Sequence, residues 1–470
     1  MIQEERYTFK PETKKKIMYL LVAGVVLFAL GLFLAMNSAN GGEAHGEGHT
    51  SVETQKIVAS IPVRLDHPRL NDSVGQAGGQ HEATTEAGHE ESGEHHESPT
   101  WLKRLYTTLW MNNVFFTGLG IIGLFFVAIQ FAAQAGWSSG IKRIPLAMGS
   151  WIPVAGVLML GLWFLVNGDL FHWSHAGLFE KGGAEFDTII NNKGAFFYWP
   201  MANGSFPIFF IARIVIFFGM WYLFFIWIKK EMMAEDLDGD SKHWVKARSL
   251  SAWFLIFFAI SSSVAAWDWI MSIDTHWFST MFGWYMFASW WVTGLAFITL
   301  VVVFLKDAGY LKIVNANHLH DLGKFIFAFS IFWTYIRFSQ LLLIYYANIP
   351  EETVYFIERM TTSPYSWIFF ANLILNFVLP FLLLMTRDAK RHMAMLKVVC
   401  PIVIVGHWFD FYNMVTPGVM KHEGGLGFLE IGTGVIFMAV FLYAVLNSLS
   451  KMPLFGKNHP MLEESLHHHI

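Results

Sequence analysis

Apolar residues in this chain do not alternate with polar ones; they gather in unbroken runs. "SLSAWFLIFFAISSSVAA" and "STMFGWYMFASWWVTGLAFITLVVVFL" are two of these, and comparable runs recur from end to end. Runs of eighteen or more apolar residues are the signature of membrane-spanning helices. The pattern predicts ten, near 17–36, 107–133, 144–166, 204–229, 249–272, 278–305, 323–347, 365–386, 394–415 and 427–449. The first run follows "ETKKKIMYLL". With no small-x-small cleavage site, it reads as a retained anchor rather than a signal peptide. The expected fold class is therefore an all-α polytopic membrane protein.

Composition sharpens this reading. Hydrophobic residues make up 54% of the chain and charged ones 14%, which excludes an ordinary soluble globule. A net charge of −4 without a basic tract excludes a nucleic-acid partner. Cys400 is the single cysteine, and no C-x-x-C-H motif occurs. The chain alone therefore ligates neither covalent haem nor an iron–sulfur centre. His407 is nearly alone among histidines within the spans, so a two-histidine haem is not expected either, and no metal-ligand set is assigned. Lys and Arg concentrate in alternate connections: Lys14 to Lys16, Lys142 and Arg143, "KKEMMAEDLDGDSKHWVKAR", "RDAKRHMAMLK" and the tail. That bias predicts both termini on the cytoplasmic side.

The segment 37–104 stands apart. "GGEAHGEGHTSVETQ" and "GGQHEATTEAGHEESGEHHES" are too polar to bury a core and read as a flexible outer loop. Its histidines are open to adventitious zinc or copper; a solvated linker is the plainer reading. The predicted layout is then 1–36 for the cytoplasmic N-terminus and anchor, 37–104 for the loop, 105–275 and 276–420 for two helical bundles, and 421–470 for the last helix and tail.

Charge within the spans marks candidate chemistry, because an ionised side chain at a helix centre costs at least about 2.5–3.5 kcal/mol. Asp268, in "WDWIMSIDTHWF", is expected near the outer end of the fifth helix, followed by Asp274 and His276. His407 and Asp410 are expected near the outer end of the ninth. Arg213 and Arg337 lie deeper. All seven are proton-transfer candidates, with pairing that merely holds helices together as the competing reading for each arginine. The other halves of the spans offer only weaker polar groups, Thr293, Ser330, Thr334, Asn372 and Asn376 among them. "NIPEETVYFIERM" predicts a short surface helix with Pro350 near its start, and Glu351, Glu352, Glu358 and Arg359 as partner-docking candidates.

"AAWDWIMSIDTHWFSTMFGWYMFASWW", "FSQLLLIYYANIPEETVYFIERM" and "GHWFDFYNMVTPG" resemble the membrane subunits of bacterial alternative complex III, a quinol:cytochrome c oxidoreductase. The ten-helix layout, with its long His/Glu-rich first outer loop and "GHWFDFYNMVTPG", resembles the F-type subunit (ActF), with the C-type subunit its near relative. The resemblance covers most of 105–450. It implies a fold like that of NrfD-like polysulfide-reductase membrane subunits: two four-helix bundles, helices two to five and six to nine, flanked by helices one and ten. It also implies a bacterial cytoplasmic-membrane location and support of quinol oxidation with proton transfer. The implied partners are a C-type sister subunit, a multihaem cytochrome c subunit, an iron–sulfur subunit and small membrane subunits. Haem c and iron–sulfur centres would then belong to those partners, and quinone or quinol is the one small molecule this chain would meet. The competing classes are a secondary transporter, against which the lack of matched mid-membrane Gly or Pro breaks counts, and a scaffold subunit without chemistry.

Overall fold

A computed structural model describes residues 4–41 and 98–469; the predicted His/Glu-rich loop lies almost wholly outside the described residues. Among the described residues, ten helices are long and apolar enough to cross a membrane. They are α1 (Pro11–Gly41), α2 (Thr100–Ala132), α3 (Ile152–Leu170), α4 (Ile208–Asp238), α5 (Ser241–Trp269), α6 (Met281–Asp307), α7 (Ala316–Ala347), α8 (Tyr365–Leu383), α9 (Met393–Met420) and α10 (Phe428–Leu449). This is a multi-pass, all-helical membrane protein. Helices satisfy their own backbone hydrogen bonds, which lipid cannot do.

Several helices outrun their apolar cores. Hydropathy sees only the lipid-facing stretch, whereas the helix continues until a cap stops it. The Asp240 carboxylate accepts from the Lys242 N–H to start α5, and Asn315 caps α7 eight residues before its apolar run begins. Before α3 the chain turns through a short helix, Arg143–Met148, and a tight turn, Gly149–Trp151. Helix α8 is not uniform: residues Ile374–Val378 form a π-helical stretch.

Packing gives two closed rings. Helices α2 to α5 pack in sequence, with α5 returning to α2; helices α6 to α9 do the same, with α9 returning to α6. The rings share a seam in which α2 touches α6 and α9, and α5 touches α6. The apolar cores of α2 and α6 are each 89% buried, against 11% for α1, so these two helices are the spine and α1 is peripheral. Helix α10 packs on α2, and α1 on α10.

The α1–α10 contact is backbone against backbone. A Cβ on Gly432 would sit 2.3 Å from the Phe28 nitrogen, and one on Gly31 would sit 2.1 Å from that of Leu429. Small residues allow such approach where no hydrophobic effect drives helices together. Both termini lie at one end of the rings: Leu454 N–H donates to Glu5 O at 2.8 Å, and the tail closes over that end through His318 Nε2 and Ser465 Oγ, 2.9 Å apart. The opposite end carries the connections 171–207, 270–280 and 348–364. Gly432→Leu should free α1 while leaving both rings folded: hydrogen exchange rises in α1 and α10 only. A rise spread evenly over α2 to α9 would contradict the peripheral placement.

Candidate functional site

The two rings treat their buried acids differently. In the first, Asp268 is fully buried one residue before the end of α5. Arg213 of α4 meets it side-on, Nε to Oδ2 at 2.6 Å and Nη2 to Oδ1 at 2.8 Å. Arg213 Nη1 donates to Phe196 O at 2.7 Å, and the guanidinium lies between the Phe196 and Phe209 rings. Both carboxylate oxygens and all three guanidinium nitrogens are thereby hydrogen-bonded. Asp268 lines neither of the two cavities described below. In this geometry Asp268 clasps α4 to α5 and ties down the Phe196 turn.

In the second ring, Asp410 gathers groups from four helices. It accepts from Trp333 Nε1 at 2.9 Å, from Asn372 Nδ2 at 2.7 Å and, by a short bond, from the Tyr285 hydroxyl. Asn376, in the π-helical stretch, donates to Asn372 Oδ1. Gly406 makes room for it, since a Cβ there would lie 2.2 Å from the Asn376 amide oxygen. One turn before Asp410, His407 Nδ1 is 2.9 Å from Ser289 Oγ. Arg337 is the contrast with Arg213: its Nη1 is 3.6 Å from Asp410, beyond hydrogen-bond reach, and has no hydrogen-bond partner. His407 Nε2, Asn376 Oδ1 and Ser330 Oγ are likewise buried and unpartnered. Native interiors rarely leave such groups unmet.

A path leads out of the Asp410 cluster. Tyr285 and Arg337 line a cavity of about 10 Å³ together with Gln340, Tyr355, Arg359 and Asn413. That is room for about one water. Tyr355 also lines a second cavity, a cleft of about 1170 Å³ at the ring end opposite the chain termini. Its ring stacks on Trp277 at 3.8 Å and lies under the Arg359 guanidinium at 3.4 Å. Burial pushes its phenol up to about 12. Asp274 lines the same cleft and takes a 2.8 Å hydrogen bond from Arg359.

The cleft wall also holds His276, whose Nε2 is 2.7 Å from Asp187 Oδ2. Burial would raise Asp187, but its backbone donors Ile190 and Ile189 and the His276 ring outweigh that and hold it below the usual aspartate range. Burial pushes Glu358 above the usual carboxylate range.

The helix predicted from "NIPEETVYFIERM" is present as Pro350–Thr361, with Pro350 in its first turn. Glu351 and Glu358 line the cleft, and Glu352 lies on the same helix, half-buried. Arg359, on the same helix, is 2% exposed and bonded to Asn413 O, Tyr355 O, Met414 O and Asp274. Asp410 is also deeper than expected. Because α9 runs on to Met420, the acid lies about 15 Å from that end. Asn372, seven residues into α8, is about 10 Å from the cleft end rather than in the opposite half.

Tyr285, Trp333, Tyr355 and Asp187 carry this geometry and were not singled out by sequence reasoning. Nor was a cluster at the terminal end. There Lys142, 1% exposed, has its amine 3.4 Å from His459 Nε2, and Glu235 is buried with Oε1 unpartnered. Burial lowers Lys142 to about 8 and His459 to about 3. The spacing of Glu231 and Glu235 on one helical face was the available signal.

No family model matches the chain, and no curated protein matches it.

Two outcomes follow. Asp268→Asn leaves the Arg213 charge buried without its counter-ion, which should cost about 3–5 kcal/mol; thermal unfolding measures it, and a Met at both positions should recover much of the loss. An unchanged unfolding temperature would contradict the clasp. A carboxylate held low in the fold contributes stability above its ordinary pKa and loses it as pH falls through the folded value. The turn Thr188–Lys193, capped by Asp187, should therefore gain hydrogen exchange as pH drops below the usual aspartate range. Asp187→Asn should remove that acid dependence.

Proposed function

We propose that this protein is an integral membrane subunit of a quinol:cytochrome c oxidoreductase of the alternative complex III type, and that its second ring passes protons to the cleft. The reading rests on the sequence resemblance together with one observation: a buried carboxylate, Asp410, whose hydrogen-bond chain ends one water-sized cavity from an open cleft. Oxidation of a quinol to a quinone releases two electrons and two protons. The electrons pass to haem and iron–sulfur centres of partner subunits, and the protons need a titratable route. Asp410 and Tyr285 form its inner part, and Tyr355 and Asp274 its outlet. Arg337, near Asp410 but unbonded to it, steadies the carboxylate without blocking it. Arg359 fixes Tyr355 and Asp274 in place.

The sequence resemblance assigns the chemistry of the quinol itself to the C-type sister subunit. Lys and Arg concentrate at the end that carries both termini, which supports a cytoplasmic assignment for that end and a periplasmic one for the cleft. The cleft, with Glu351 and Glu358 on its wall, is then the face toward the multihaem cytochrome subunit.

The test is Asp410→Asn in the intact complex, reconstituted in liposomes. Quinol:cytochrome c turnover coupled to external proton release should fall by about 100-fold, the usual weight of a positioned acid–base group. Tyr355→Phe should slow release with assembly intact, whereas Asp268→Asn should act through stability. Normal turnover and release in an assembled Asp410→Asn complex would leave a scaffold role instead.

A further inference from the structure

Two lysines at the terminal end meet no carboxylate among the described residues. Lys229 of α4 lies over the Phe225 ring at 5.5 Å. Phe225 in turn packs on Gly149, and the next residue, Ser150, reaches within 3.4 Å of Ala444 O on α10. Helices α4 and α10 therefore meet across the Gly149–Trp151 turn. One turn beyond Phe225 comes Lys229; two turns beyond Ala444 comes Lys451. Both positions follow the residues that meet at this turn, and Lys229 lies within electrostatic reach of Lys451 and Arg143.

Arg143 already has its partner, Asp236 at 2.6 Å. Neither Lys229 nor Lys451 meets a carboxylate among the described residues. Two ammonium groups brought together without an anion repel one another. Along the same edge of α4, Tyr222, Ile226 and Trp227 are exposed, an apolar and aromatic surface of the kind that meets lipid at the membrane boundary.

We propose that Lys229 and Lys451 together bind the phosphate of an anionic phospholipid at this edge. The phosphate neutralises both ammonium groups, and the acyl chains lie against the exposed side of α4. A free phosphate ion satisfies the charges but makes no use of Tyr222, Ile226 and Trp227, so the lipid is the occupant favoured. Recruitment of anionic headgroups by paired basic residues is strong because each contributes separately.

The experiment is native mass spectrometry of the purified full-length protein taken from nanodiscs of phosphatidylglycerol and phosphatidylcholine. Wild type and Lys230→Gln, a neighbouring exposed lysine as control, should retain phosphatidylglycerol. The double variant K229Q/K451Q should retain it about tenfold less or lower, with phosphatidylcholine adducts unchanged. K229R/K451R, which keeps the charges and the fold, should restore retention. Equal retention by the double variant and wild type overturns the proposal. So does displacement of the retained lipid by inorganic phosphate, which would make the site one for a soluble anion.

Discussion

A charge removed from water must be answered inside the protein, and in this molecule the completeness of the answer separates structure from chemistry. Arg213 answers Asp268 fully, with two short parallel hydrogen bonds and two aromatic faces around the guanidinium. Arg337 answers Asp410 in part, at 3.6 Å, leaving hydroxyl, indole and amide donors to do the rest. Neutral donors stabilise a carboxylate less than a bidentate cation does, and the proposed function uses that difference by placing proton exchange at Asp410 rather than at Asp268. The same side-chain types are therefore bonded differently in the two rings.

The rest of the fold positions that difference. Helices α2 and α6 fill the seam and leave the inner faces of α5 and α9 pointing into their own rings. The π-helical stretch in α8 and the missing side chain at Gly406 bring Asn376 against Asn372 and so onto Asp410. Such a stretch costs regular hydrogen bonding and is commonly found where function needs it. The short helix Pro350–Thr361 then supplies both Tyr355 and Arg359, one face of it closing the small cavity and the other lining the cleft.

Much of this architecture was legible in the run lengths, because lipid forces each crossing to be a continuous apolar helix. The ten spans, the short surface helix and the bias of Lys and Arg follow from that constraint. The site was legible only in part. Asp268, Asp274 and His276 sit within nine residues of one another, yet the turn after α5 sends Asp274 and His276 into the cleft and leaves Asp268 behind in the ring. Depth failed for Asp410 because "NMVTPGVM" stays helical to Met420 although its hydropathy fades. Tyr285, Trp333 and Tyr355 were invisible among so many aromatic residues, since only tertiary contact distinguishes a tyrosine that bonds an acid from one that faces lipid.

Infrared difference spectroscopy of the purified protein across a pH titration reads the central contrast most directly. The account predicts a carboxyl band that changes with pH and disappears in Asp410→Asn, with no such band lost in a folded Asp268→Asn protein. A titrating band that survives Asp410→Asn and vanishes with Asp268→Asn would contradict it.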